Sequence, residues 1–118
     1  MLQRPTMQLE TLRADDSLTH VALSGRLDVA ALTKLQDRFV FATAPRRKTT
    51  IVDLSQVTLL TSMAIGMLIA VAKALQPHGA KMILCGATGM VAKTLHDSGM
   101  HHVMAVVGSV DEALKAAQ

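Results

Sequence analysis

Two side chains in the sequence could act as nucleophiles or be modified covalently. Ser62 stands where a strand-like segment meets a helix-like one, and Cys85 follows an apolar run. A catalytic serine needs a partnering base and a sharp turn of the nucleophile-elbow type, and neither is identifiable around Ser62. Cys85 has the surroundings of a small buried apolar side chain rather than those of a reactive thiol. The sequence therefore does not favour an enzyme.

Histidines and glycines could in principle hold a metal ion or a phosphate. His96, His101 and His102 are irregularly spaced and lack the paired carboxylates or cysteines of a metal site. The loop at 86–89 contains two glycines but has neither the phosphate-loop lysine nor the spacing of a dinucleotide fingerprint. We expect no metal and no cofactor.

The overall charge is mildly basic but does not predict a nucleic-acid partner. The formal net charge is +3, yet only the run at 46–48 is locally basic, and a short run of this kind is usually a solvated loop. Aromatic residues make up 2% of the chain, which argues against the stacking platforms that bind single-stranded bases. We expect no binding to nucleic acid.

Length and composition predict one compact unit. The 118 residues, of which 50% are hydrophobic, suffice for one domain over 1–118 with its core at about 7–117. One cysteine and the lack of a secretory signal in residues 1–6 favour the cytoplasm. The uncharged stretch at 54–72 is long enough to span a bilayer, but its first half is polar, so we expect no direct membrane insertion.

Periodicity and turn residues divide the chain into alternating strands and helices. Asp28 is placed to cap the first helix, and Ser109 with Glu112 forms a capping box for the last. The predicted strands are 7–14, 18–23, 49–54, 81–85 and 103–107, and the predicted helices are 28–41, 63–75, 90–96 and one after 109. This order predicts an α/β sandwich with a mostly parallel mixed sheet, an antiparallel N-terminal edge strand and about four helices.

The second predicted helix is apolar almost all round, with Lys73 as its one charge. A helix on one face of a sheet buries only a stripe, so some of its apolar side chains should reach the surface. Met63 and Met67 share one helical face and could contact a partner or be plain core. Gly66 weakens the helix interior, and close approach of another backbone would explain it. Ser62 has two readings, an N-cap or a regulatory hydroxyl.

The stretch from Ile51 to Leu68, which reads Ile-Val-Asp-Leu-Ser and continues into the second helix, resembles the STAS domain family. Further similarity lies in Ser-Gly-Arg-Leu-Asp at 24–28, in Gly79 before the fourth strand, and at 109–114. The resemblance spans nearly the whole chain from about Met7. The family typically has Asp-Ser-Ser-Gly-Leu-Gly at the helix start, where this chain has Thr-Ser-Met-Ala-Ile-Gly at 61–66.

The resemblance implies a bacterial regulatory module, an anti-sigma factor antagonist acting in transcription and signal transduction. Its implied partner is an anti-sigma factor of the ATP-dependent serine kinase type, and Ser62 aligns with the phosphoacceptor. The implied protein is a monomer or weak dimer. The implied partner-binding residues are Arg26, Asp28, Thr61, Ser62, Met63, Ala64, Gly66 and Met67.

Two alternatives remain open beside that function. One is a constitutive STAS subunit bound to the ATPase of a lipid-transport complex, which is favoured by Thr61 in place of the family's aspartate and by Met63-Ala64 in place of its Ser-Gly. The other is a signalling scaffold that is not phosphorylated.

Overall fold

The computed structural model describes residues 8–118, so Met7, the predicted first residue of the first strand, and residues 1–6 lie outside the described part. The strands are β1 (Leu9–Ala14), β2 (Leu18–Leu27), β3 (Thr49–Leu60), β4 (Met82–Cys85) and β5 (Ala105–Val107). The helices are α1 (Val29–Thr43), α2 (Ser62–Leu75), α3 (Gly89–Asp97) and α4 (Val110–Ala116). Short 3-10 turns follow at Ala44–Arg46, Gln76–His78 and Met100–His102.

Within residues 8–118 the five strands form one sheet in the order β1-β2-β3-β4-β5. β1 pairs antiparallel with β2, and the other three pairings are parallel. Each of β2, β3, β4 and β5 is followed by a helix, as parallel pairing requires. The predicted α/β architecture, with an antiparallel edge strand and four helices, is confirmed.

Two strands are longer than the sequence predicts. We expected Ser24, Gly25 and Arg26 to end β2, but the strand continues to Leu27, which lies beside Leu60 of β3. The register shifts on either side of Gly25, whose φ of 79° a glycine adopts without strain. Pairing between the strands overrides the local break signal, and β3 likewise runs past the predicted end at residue 54.

β3 extends well beyond β4. β4 pairs only with Thr50 to Asp53, whereas β2 accompanies β3 to Leu60. The segment from Leu54 to Leu60 is about 20 Å long at the usual rise per residue. We call this projecting pair of strands the β2–β3 ribbon. Its end carries the N-termini of both α1 and α2.

Two clusters of buried side chains cover the two faces of the sheet. The larger cluster joins the sheet to α1, α2 and α3, and the smaller one joins it to α4 through Ala113. Leu32, Leu35 and Phe39 of α1 are buried at helical spacing, whereas Val29 at the helix start is 61% exposed. The side chains of β4, and those in the first half of β3, are buried on both faces of the sheet, which explains the near-continuous apolar runs in these strands.

Helix α4 begins with a modified capping box. The Ser109 hydroxyl accepts a hydrogen bond from the Glu112 N–H at 3.1 Å, as predicted. The Glu112 carboxylate, however, accepts from the N–H of Gly108 at 3.3 Å rather than from that of Ser109. The reciprocal contact is therefore shifted by one residue, and both bonds still satisfy backbone donors at the helix start.

Across residues 8–118, every helix is too short or too polar to cross a bilayer.

Candidate functional site

Thr61, and not Ser62, caps the N-terminus of α2. The Thr61 hydroxyl oxygen accepts a hydrogen bond from the Ala64 N–H at 3.4 Å and donates one to the carbonyl of Leu27 at 2.7 Å. Its backbone is extended, with φ of −100° and ψ of 167°, as an N-cap requires. Of the two readings of Ser62, the structure therefore excludes the N-cap. Both residues bear a hydroxyl, but only that of Thr61 also binds the Leu27 carbonyl at the end of the ribbon.

Ser62 is the first residue of α2 and is exposed. Its hydroxyl forms no hydrogen bond with any of residues 8–118. An unengaged hydroxyl on the first turn of a helix is accessible to a modifying enzyme. A negative charge placed there would lie near the positive end of the helix dipole.

Asp28 caps α1, as the sequence predicts. One oxygen of the Asp28 carboxylate accepts a hydrogen bond from the Ala31 N–H at 2.9 Å. The other lies 3.8 Å from Nε of Arg26, whose side chain is 69% exposed. This ion pair is long and solvated, so it contributes little to stability.

The two helix starts meet at the end of the β2–β3 ribbon. Leu27 and Leu60 are register partners, and the Leu27 carbonyl that Thr61 binds lies between Arg26 and Asp28 in the chain. The first turns of α1 and α2 contain no acidic side chain. The structure thus brings Arg26, Asp28, Thr61 and Ser62 to one place, which we call the ribbon tip.

Helix α2 exposes only part of the apolar surface that the sequence predicts. Met63 is 37% exposed, but Met67 is 3% exposed and Ala64 is fully buried. Met67 and Ala64, which the resemblance places among the partner-binding residues, are therefore not available as surface contacts, and of the two readings of the methionine pair Met67 follows the core one. The cause is the wide buried arc of α2, which packs against both the sheet and α1.

Gly66 lies on the exposed side of α2. A Cβ built on Gly66 would have no atom within 4 Å, so the described chain leaves the space beside this residue open. Ser62 and Ala70, one turn before and one turn after, are exposed as well. These small residues, flanked by Met63 and the half-buried Ile69, form the exposed face of α2.

Cys85 is fully buried at the end of β4, beside Asp53 of β3. Burial, together with the nearby negative charge of Asp53, raises the pKa of the Cys85 thiol to about 11. The prediction that Cys85 is a small buried side chain is confirmed. Next to it, Gly86 has φ of 78°, and a Cβ there would lie 3.0 Å from the Asp53 carboxylate, so only glycine fits.

Three histidines, one in the last turn of α3 and two in the 3-10 turn that follows, lie close together. The ring centroids of His96 and His101 are 5.0 Å apart and those of His101 and His102 are 4.0 Å apart. Among residues 8–118, no group of three or more His, Cys, Asp or Glu side chains could hold a metal ion. Partial loss of water around the ring, then the charges of His102 and His96, lower the pKa of His101. Sequence reasoning missed this stacking because the spacing follows no helical or strand period.

Comparisons with known structures agree on the fold. An anti-sigma factor antagonist from Mycobacterium paratuberculosis is 23% identical, with a TM-score of 0.79 over 92% of this chain and 93% of that chain. A putative anti-sigma factor antagonist from Thermotoga maritima is 14% identical, with a TM-score of 0.82 over 92% and 93%. The phosphorylated form of the Bacillus cell fate determinant SpoIIAA is 16% identical, with a TM-score of 0.67 over 93% and 99%.

A comparison of the sequence with curated proteins gives no match. The family model described as "STAS domain" matches residues 11–113, which is most of the chain. The matched range contains the ribbon tip and the exposed face of α2. The chain belongs to the STAS domain family.

Proposed function

We propose that this protein is an anti-sigma factor antagonist, a binding module rather than an enzyme. It would dock through the ribbon tip and the exposed face of α2 onto an anti-sigma factor of the ATP-dependent serine kinase type. The observation that carries the proposal is the exposed Ser62 hydroxyl on the first turn of α2. The names of the similar structures support the same role. A cytoplasmic location and a monomeric or weakly dimeric state belong to this proposal.

Docking on α2 is consistent with the side chains that its surface presents. Met63 supplies exposed apolar area beside Ser62, and a methionine adapts readily to a partner surface. Gly66 costs roughly 1 kcal/mol of helix stability relative to alanine. Because no atom of the described chain occupies the space beside Gly66, close approach of a partner accounts for the glycine.

Ser62 is the hydroxyl that a kinase could use. The neighbouring Thr61 hydroxyl already donates to Leu27 and accepts from Ala64. The kinase would transfer the γ-phosphoryl group of ATP to the Ser62 oxygen, with ADP leaving and the hydroxyl proton released. The added charge, about −1.5 to −2 near neutral pH, would then lie against an apolar contact and expel the partner.

The test is binding between the purified protein and its cognate anti-sigma factor, measured by titration calorimetry. We expect S62A to bind like wild type and S62D to bind at least tenfold more weakly. The matched control is S98D, which places the same charge on the exposed end of α3. Equal affinities of S62D and wild type for the anti-sigma factor would contradict the phosphorylation switch.

One observation favours a second candidate, a constitutive subunit bound to the ATPase of a transport complex. Thr61 caps α2 with a neutral side chain, although an aspartate would cap the helix equally well. The residue before Ser62 therefore offers a kinase no carboxylate to recognise. This function predicts copurification with an ATPase and the same binding for S62A, S62D and wild type. The copurified partner, titrated with wild type, S62A and S62D, therefore separates the two candidates.

A further inference from the structure

A half-open cavity of about 170 Å³ lies between α3 and the edge strand β5. Its walls are mostly apolar and include Ala92 and Leu95 of α3 and Val106 of β5, and His96 and His101 also line it. A cavity of about 150 Å³ with apolar walls holds a benzene molecule, so this one has room for a single ring or a short alkyl chain. The residues that line it belong neither to the ribbon tip nor to the exposed face of α2, so the cavity is a separate site.

The polar side chains that line the cavity are two imidazoles from different elements. His96 is in the last turn of α3, and His101 is in the 3-10 turn at Met100–His102. Their ring centroids are 5.0 Å apart and their planes are inclined by 26°, while the centroid of the His102 ring lies 4.0 Å from that of His101. An apolar cavity with a few convergent polar groups is the usual composition of a small-molecule site.

The charges around the two imidazoles favour an anionic ligand. Among residues 8–118, the side chains that line the cavity include no carboxylate. On α3, Asp97 is joined to Lys93 by a 2.6 Å ion pair, and β5 has no titratable side chain. Partial loss of water around the ring, then the charges of His102 and His96, lower the pKa of His101. A bound anion would offset this repulsion between imidazoles, whereas a bound cation would add to it.

We propose that the cavity binds a small monocarboxylate, with the apolar part of the ligand against Leu95 and Val106 and its carboxylate at the imidazoles of His96 and His101. A protonated imidazole donates from both ring nitrogens and forms a charge-assisted hydrogen bond with a carboxylate oxygen. Binding therefore takes up a proton near neutral pH. The volume admits roughly nine non-hydrogen atoms, a ring and a carboxylate, which excludes nucleotides and long fatty acids.

The probe is benzoate, because its ring matches the cavity and its carboxyl group, with a pKa of about 4, stays ionised at pH 5.5. Full-length labelled protein is titrated with benzoate at pH 5.5 and at pH 7.5 and followed by NMR. We expect saturable shifts of the Leu95 and Val106 methyl signals and of the His96 and His101 ring signals. The dissociation constant should be about threefold lower, or more, at pH 5.5 than at pH 7.5, and saturating benzoate should raise the pKa of His101.

Two ligands of the same shape test the role of the charge. Benzamide keeps the ring and a planar polar group but is neutral, and benzylammonium is a cation. At pH 5.5 we expect benzamide to bind at least about threefold more weakly than benzoate, and benzylammonium not to bind. Equal affinities for benzoate and benzamide at pH 5.5 would overturn the assignment of a carboxylate ligand.

Variants locate the site. A92L should fill the cavity and abolish benzoate binding, because Ala92 lines it from α3 and leucine is a good helix former. The matched control A74L adds the same side chain to an exposed position of α2 and should bind benzoate like wild type. H101Q should weaken binding about threefold or more at pH 5.5 and reduce its pH dependence. H78Q removes an exposed histidine that does not line the cavity and should change neither.

Two results would overturn the inference. One is benzoate shifts that are absent, that do not saturate, or that spread over the surface rather than centring on α3 and β5. The other is benzoate binding by both A92L and H101Q with the affinity of wild type. Neither result bears on the proposed function, because the cavity and the docking surface share no residue. Failure of S62D to weaken partner binding would likewise leave the benzoate titration unaffected.

Discussion

The Thr61 hydroxyl and the Leu27 carbonyl are joined by a 2.7 Å hydrogen bond that ties the start of α2 to the end of β2. The same hydroxyl oxygen accepts the N–H of Ala64. A single side chain thus fixes the position of α2 relative to the ribbon and satisfies one of its free N–H groups. Ser62 is left outside this network because Thr61 has taken both contacts.

Replacing Thr61 by valine should destabilise the protein by about 1 to 2 kcal/mol, because valine keeps the shape but loses the cap and the bond to Leu27. T61S keeps the hydroxyl and should lie within about 0.5 kcal/mol of wild type. Urea unfolding followed by circular dichroism measures both variants. An unchanged midpoint for T61V would show that the hydroxyl does not hold the helix start.

Replacing Gly66 by alanine should raise the free energy of unfolding by about 0.5 to 1 kcal/mol, since alanine favours helix and a Cβ meets no atom within 4 Å. The same variant should bind the anti-sigma factor more weakly, because a methyl group then projects from the docking face.

The control for that pair of measurements is G79A. Gly79 also has open space around it, but its φ is 70°, so alanine should destabilise by about 1 kcal/mol. A loss of stability in G66A, or unchanged partner affinity, would show that Gly66 is not kept for docking.

His101 should make stability depend on pH. Its pKa is lowered from 6.5 in the folded protein, so the unfolded chain takes up the proton at a higher pH than the native state does. The contribution is complete above pH 6.5 and is lost as the pH falls through the lowered value. Between pH 8 and pH 5, the midpoint of thermal unfolding should depend less on pH in H101Q than in wild type. A steeper decline in H101Q than in wild type would contradict the assignment.

Cys85 should be unreactive in the folded protein. With a pKa of about 11, on the order of one thiol in a thousand is ionised at pH 8, and the side chain is fully buried besides. Ellman's reagent should therefore react with the native protein only as fast as the chain opens, and rapidly in urea. Fast reaction of the native thiol would show that β4 is accessible.

The sequence predicted the order of strands and helices because apolar periodicity and capping residues act locally. Asp28 and Ser109 were identified as caps from residue type and position alone. The choice between Thr61 and Ser62 could not be made in this way, because both side chains can cap and only the Leu27 carbonyl of another strand selects between them.

The lengths of β2 and β3 and the burial of Met67 depend on partners distant in sequence. In the sequence Gly25 indicates the end of a strand, but in the structure it pairs with β3 and β2 continues through it. Met67 belongs to a helix that is apolar almost all round, and its burial follows from the packing of α2 against α1 as well as the sheet. The Ser62 phosphoacceptor and the partner-binding residues that stay exposed remain predictions.

Gly86 fits against Asp53 and Ser55 where β4 stops and β3 continues, and a Cβ there would come within 3.0 to 3.1 Å of both side chains. Beyond this junction β3 has one hydrogen-bonded neighbour instead of two. The part of β3 beyond Asp53 is therefore held in the sheet by hydrogen bonds to β2 alone. Amide hydrogens of β3 past Asp53 should exchange faster than those before it, and binding of a partner should slow them most.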